Sequence, residues 1–158
     1  MTNNKIFKPK SKKIFVGEAG RKQVMNPCFE LLPRRADNTP MNKISIYEED
    51  FLFIMPAFGL AVDPAGFDEY ECYHLTKQQW FNLLEEAQKL VSFAAFDDMF
   101  EYVVKQGKHT NYDGLYFLNH NGKSIWNARK EAQIMLEDLS AWTETILKED
   151  DGVEILGL

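Results

Sequence analysis

Thr76-Lys77-Gln78-Gln79-Trp80-Phe81-Asn82-Leu83-Leu84-Glu85-Glu86-Ala87-Gln88-Lys89-Leu90-Val91-Ser92, running on through Phe93-Ala94-Ala95-Phe96 to about Lys105, is the longest helical pattern in the chain. Thr76 and Gln79 have capping-box spacing, so a hydroxyl and an amide can satisfy backbone groups at the helix start. Trp80, Leu83, Leu84, Ala87, Leu90, Val91 and Ala94 recur at the three-and-four spacing of an amphipathic face. From Leu90 to Phe96 only Ser92 is polar, which predicts a buried middle. A straight helix of this length would reach roughly 45 Å, longer than the roughly 40 Å diameter of a compact domain of this size. A bend or break is therefore expected near Ser92–Asp97.

Outward from this helix, the N-terminal side reads as strands. Residues 1–13 have little to bury and read as an extended or frayed start. Lys13–Val16 reads as a short strand. Val24–Leu32 is ambiguous, interrupted by Pro27 and ended by Pro33, and Arg34–Met41 reads as a loop. Lys43–Tyr47 and Phe51–Met55 read as two strands joined by an acidic turn, Glu48-Glu49-Asp50. Pro56–Asp68 is punctuated as a loop, and Glu71–Leu75 is a strand leading into the Thr76 helix. On the C-terminal side, Gly114–Asn119 reads as a strand. Asn121-Gly122 turns the chain, and Ser124 is the natural N-cap of a second helix. That helix keeps Ile125, Ala128, Ala132, Met135, Leu136, Leu139, Trp142 and Ile146 on one stripe, and Val153–Leu158 is a terminal strand or tail. The simplest assembly is one α+β domain over 1–158: an antiparallel sheet with two long amphipathic helices packed on one face.

With 45% hydrophobic and 13% aromatic residues over 158 positions, the chain can bury a core without covalent staples. Cys28 and Cys72 form no metal-ligand pair and no disulfide framework, so free thiols in a reducing cytoplasm are expected. No signal peptide follows the lysine-rich start. The most apolar stretch, Phe51–Val62, is too short and too broken by Pro56 and Gly59 to span a bilayer. The net charge of −6 is unevenly laid out. Residues 1–35 hold nine Lys/Arg against Glu18 and Glu30, while the rest hold nine against twenty-two acids. Either the basic segment is an arm for nucleic acid or it folds onto the acidic body. The second needs no further partner and is preferred, and the body would repel phosphates, so nucleic acid is not the expected partner.

Catalytic motifs are weak. Gly122-Lys123-Ser124 precedes a helix, but the glycine a phosphate loop requires is replaced by Phe117. His109, Asn111, His120 and Asn121, with Asp113 as an orienting partner, are the densest polar cluster and define an alternative reading as a small hydrolase or nuclease. Turn chemistry in a solvated loop explains the same residues. Cys72 and His74 are two apart, as on one strand face, with nothing else to mark a nucleophile. No cofactor is indicated. The acidic surface is the stronger signal: Glu85, Glu86, Asp97, Asp98 and Glu101 on the first long helix, Glu137, Asp138 and Glu144 on the second, and Glu149-Asp150-Asp151 after it. Solvated helix faces carry such charges, and so do surfaces that attract a basic protein. Tyr70, Tyr73, Tyr112 and Tyr116 are the candidate aromatic anchors.

Tyr73-His74-Leu75-Thr76-Lys77-Gln78-Gln79-Trp80 runs a strand into an L-T-x-x-Q-W helix start. With the closing Asp151-Gly152-Val153-Glu154-Ile155-Leu156-Gly157-Leu158 it resembles small acidic immunity proteins of bacterial contact-dependent inhibition and polymorphic-toxin systems. The likeness spans about the last ninety residues. It implies a non-enzymatic cytoplasmic inhibitor that binds a cognate toxin domain, commonly a nuclease, and occludes its active site. Asp97, Asp98 and Glu101, then Glu85 and Glu86, with Tyr112 and Tyr116, are the residues expected to meet that partner.

Overall fold

The computed structural model describes residues 7–16, 28–34, 43–106 and 126–157. Among these residues five strands, β1 (Ile14–Val16), β2 (Cys28–Arg34), β3 (Ile44–Tyr47), β4 (Tyr73–Thr76) and β5 (Gly152–Leu156), form one antiparallel sheet in the order β1-β3-β2-β5-β4. Alternation decides its faces. Ile14, Phe29, Leu31, Ile44, Ile46, Leu75, Val153 and Ile155 point into the core, and Glu30, Glu154 and His74 point away. Pro33 does not end β2. It pairs with Val153 at a level where the ladder to β3 has already stopped at Leu31↔Ile44, so the strand is flanked there on one side only and a missing N–H is tolerated.

Two long helices, α3 (Lys77–Ser92) and α5 (Arg129–Ile146), cover the buried face. The capping box at Thr76 and Gln79 forms with both bonds in place. Trp80, Leu83, Leu84, Ala87, Leu90 and Val91 from α3 meet Ala132, Met135, Leu136, Leu139 and Trp142 from α5 in the core. Polar bonds fix their register. The Trp80 indole N–H donates to Thr143 Oγ1 at 2.7 Å inside the core, and Lys77 Nζ reaches the carbonyls of Leu147 and Lys148 at the end of α5. The expected break is present: α3 ends at Ser92, and α4 (Phe96–Lys105) starts after three intervening residues. Ala94, counted on the buried stripe from sequence, lies in this joint and is exposed.

Phe51–Met55 is not a strand, and Pro56–Asp68 is not all loop. Glu48–Phe51 is a single helical turn, α1, and Met55–Ala61 is a second short helix, α2, with every residue from Phe51 to Leu60 buried. A continuous apolar run lacks the periodicity that separates strand from helix. The local signals favoured helix: three acids at an N-terminus suit the helix dipole, and Pro56 sits in the first turn of α2, where its missing donor costs nothing. Phe29, Phe51, Phe58, Phe67 and Tyr73 stack and tilt against one another between these turns and the sheet. The expected strand Gly114–Asn119 and the Ser124 cap lie outside the described residues.

Candidate functional site

α4 presents Asp97, Asp98, Glu101, Val104 and Lys105 to solvent while Phe96, Met99 and Val103 are buried beneath it. Val104 is 58% exposed, an apolar residue among acids. The face is less negative than its acids alone suggest. Lys105 Nζ lies 2.8 Å from Glu101 Oε1, holding that carboxyl below its ordinary range and the ammonium above its own. Glu86 accepts the Tyr102 hydroxyl at 2.9 Å, and Lys89 Nζ stands 4.5 Å from the centre of the same ring. Glu86 therefore helps hold α4 against α3, whereas Glu85 stays exposed beside it. Tyr112 and Tyr116 lie outside the described residues, as do His109, Asp113 and His120.

A second acidic surface lies at the other end of α3, and the charge reading of the sequence passed over it. Between Lys43 and Lys77 the chain has seven carboxylates and no lysine or arginine. Asp63, Asp68 and Glu71 are exposed, and Glu48 and Glu69 half-buried. The fold brings the start of α1 against the 68–71 loop, so that Glu48 and Glu69 share a hydrogen bond. Burial first, and then the neighbouring Glu69 charge and that bond, push the Glu48 carboxyl above its usual range. Tyr70 stands among Glu69, Glu48 and Asp68, 73% exposed, the most exposed large hydrophobic side chain among the described residues. Glu69 beside it holds its phenol above the ordinary value. Tyr73 is half-buried and takes the backbone N–H of Asp68 on its hydroxyl at 2.7 Å, bracing the loop that presents Tyr70. The signal was available in the sequence as a gap in basic residues, which a tally of acids alone does not reveal.

The basic segment folds onto the body over its described part. The backbone N–H groups of Lys10 and Ser11 donate to the two carboxylate oxygens of Asp138 at 3.0 and 2.6 Å, and Asp138 is buried. Lys13 Nζ lies 3.2 Å from Asp50 and 3.9 Å from Glu131. Burial nevertheless keeps Asp50 above its usual range, against the pull of Lys13. Beside this contact, Lys10, Lys12, Tyr47, Glu49 and Ile134 line an open groove of about 490 Å³ with mixed charge.

Among the described residues, His74 and Cys72 are not brought together with a further reacting group. His74 Nδ1 is 3.7 Å from Glu154 Oε1, its cross-strand neighbour, on the outer face of the sheet. Cys72 is exposed before β4 begins. Among the described residues no group of three His, Cys, Asp or Glu side chains is placed to hold a metal, and no helix is long and apolar enough to cross a membrane. Comparison with family models, curated proteins and solved structures gives no match.

Proposed function

We propose that the chain is a non-enzymatic inhibitor, acting in the cytoplasm of a bacterium, that binds a basic toxin domain and occludes its active site, with a nuclease as the expected toxin. The observation that carries this reading is the acidic loop around Tyr70: an exposed aromatic ring on a braced loop, with the carboxylates of Glu69, Glu48 and Asp68 beside it and no lysine or arginine nearby in sequence. An interface core of this kind supplies area through the tyrosine and partner selection through charge. Acidic surfaces accelerate encounter with basic partners and repel nucleic acid, so the same carboxylates would steer the inhibitor to a nuclease and compete with its substrate. The exposed α4 face of Asp97, Asp98 and Glu101, with Glu85 beside it, is the second contact region, weakened by Lys105.

The test is recovery of the tagged chain from its source bacterium, followed by assay of whatever binds in equal amount. A basic domain from the C-terminal end of a large secreted protein, whose activity the chain suppresses at one-to-one ratio, is the expected result. A purified chain that binds nothing, or that binds nucleic acid in its place, overturns the reading.

A further inference from the structure

β4 is an edge of the sheet, and the direction of its backbone groups can be worked out. Among the described residues it pairs with β5 alone, Tyr73 opposite Ile155, His74 opposite Glu154 and Leu75 opposite Val153. The Leu75 carbonyl oxygen lies where a Cβ on Gly152 would be 2.5 Å away, and the Glu71 carbonyl where one on Gly157 would be 2.7 Å away. Both carbonyls therefore face β5. Direction alternates along a strand, so Tyr73 and Leu75 bond to β5 while Cys72, His74 and Thr76 point outward. Thr76 agrees with this parity, because its N–H bonds to Gln79 Oε1 at 2.9 Å within the helix cap. The N–H and C=O of His74, with those of Cys72 before it, have no partner among the described residues.

An open edge invites another strand, and folded proteins guard such edges with lysine, proline, a bulge or extreme shortness. Tyr73-His74-Leu75-Thr76 holds no lysine or proline, and its register with β5 runs without a bulge. Lys77, the nearest lysine, is turned away to the carbonyls of Leu147 and Lys148. Glu71, Cys72, His74 and Thr76 are all exposed, so the edge is open to solvent. The opposite edge, β1, is three residues long and follows Lys10, Lys12 and Lys13. β4 is also held at both ends. Before it, the Asp68 side chain accepts the Tyr70 N–H at 2.9 Å, and the Asp68 N–H donates to the Tyr73 hydroxyl at 2.7 Å. After it, the Thr76–Gln79 capping box fixes the turn into α3. An edge already ordered loses little freedom when a strand joins it.

We propose that β4 is a docking edge that takes an extended segment of another protein, rich in lysine or arginine, as an additional strand. Backbone bonds to His74 and Cys72 hold such a segment whatever its sequence, and charge selects it. Asp68, Glu69 and Glu71 stand at the start of the strand. Exposed Glu149 and Asp150 stand at its end, just before Gly152, which lies opposite Thr76. An acidic segment is repelled from both ends, and a second copy of this chain brings its own acids to the contact. The inference concerns the backbone of β4 and stands whether or not the basic partner is a toxin.

The probe is a capped octapeptide of alternating lysine and valine, titrated into the isotope-labelled full chain while amide exchange is followed by NMR. Binding is expected to slow exchange of the His74 amide about tenfold or more, and methylating every interior nitrogen of the peptide to weaken binding by at least as much. His74→Pro removes the outward N–H and keeps the bonds of Tyr73 and Leu75 to β5, so it is expected to weaken binding about tenfold, whereas His74→Ala, which keeps the N–H, binds as wild type does. Thermal unfolding checks that both variants fold. The proposal is overturned if the peptide does not bind, or binds without slowing exchange at His74. Equal binding by the methylated peptide, by a glutamate–valine counterpart or to His74→Pro overturns it as well. A chain that is dimeric alone, with the His74 amide already protected, gives the edge to a second copy and overturns it too.

Discussion

Trp80 carries an indole N–H into the middle of the core, and Thr143, whose own hydroxyl donates to the Leu139 carbonyl at 2.7 Å, is there to receive it. Thr143→Val keeps the shape and removes the acceptor, leaving a buried donor unpaired. The expected loss is about 1–3 kcal/mol, read as a lower midpoint in urea unfolding with an unchanged slope. Glu48 tests the opposite case, a group the fold strains. Its folded pKa is raised, so the native state holds the proton more tightly than the unfolded chain. Stability contributed by that proton is present at low pH and is lost as pH rises from the ordinary glutamate range through the raised value. Glu48→Gln removes the strain of burying that charge beside Glu69, so its Tm should exceed that of wild type at pH 7, with the difference closing as pH falls below 4.5; a constant difference across pH would show that ionisation of Glu48 is not its cause. The Thr76–Gln79 cap was legible from sequence because all its parts lie within one turn. Neither the indole–threonine bond nor the Glu48–Glu69 contact was, since each joins residues far apart in the chain.

At the scale of elements, the N-terminal segment is held by the body's charge rather than by pairing alone. Asp138→Ala removes the acceptor of two backbone N–H groups, and tryptic cleavage after Lys10, Lys12 and Lys13 should accelerate severalfold while cleavage after Lys77 and Lys89 in α3 is unchanged. Unchanged cleavage would mean that β1 and Lys13 suffice to hold it. Close approach of backbones governs the join of β4 and β5. A Cβ on Gly152 would stand 2.5 Å from the Leu75 carbonyl oxygen, and one on Gly157 would strike the carbonyls of Glu69 and Glu71. Gly152→Ala should therefore cost about 1–3 kcal/mol through a backbone shift, measurable by thermal unfolding. The long helices and most strands could be read from periodicity, and the break in the first helix from its length alone. α1 and α2 could not, because an apolar run buried on all sides looks the same in either conformation. Hidden too were the bonds that meet the broken turn, from Trp126 Nε1 to the Phe93 carbonyl and from Gln133 Nε2 to the Val91 carbonyl, each at 3.2 Å.

Over the described residues, charge is divided between a basic beginning, folded at Lys10–Lys13 onto the body's own acids, and two acidic outer surfaces. If the Tyr70 loop meets a basic partner, Glu69→Lys with Glu71→Lys should slow association by an order of magnitude or more at low salt and flatten its salt dependence, while Tyr70→Ala should chiefly speed dissociation. The triple reversal of Asp97, Asp98 and Glu101 should have the smaller kinetic effect, because Lys105 already offsets part of that face; the reverse ranking would make α4 the main contact. The strand order carries a consequence for how such a chain is made. β5 lies between β2 and β4, and Leu32 waits for Glu154 and His74 for the same residue. During synthesis β2 can pair with β3 but keeps its other edge open, and β4 has no strand partner, until β5 follows them. The nascent chain thus has a long interval in which it can aggregate or recruit a chaperone, and a ribosome stalled before Gly152 would hold a sheet that cannot close.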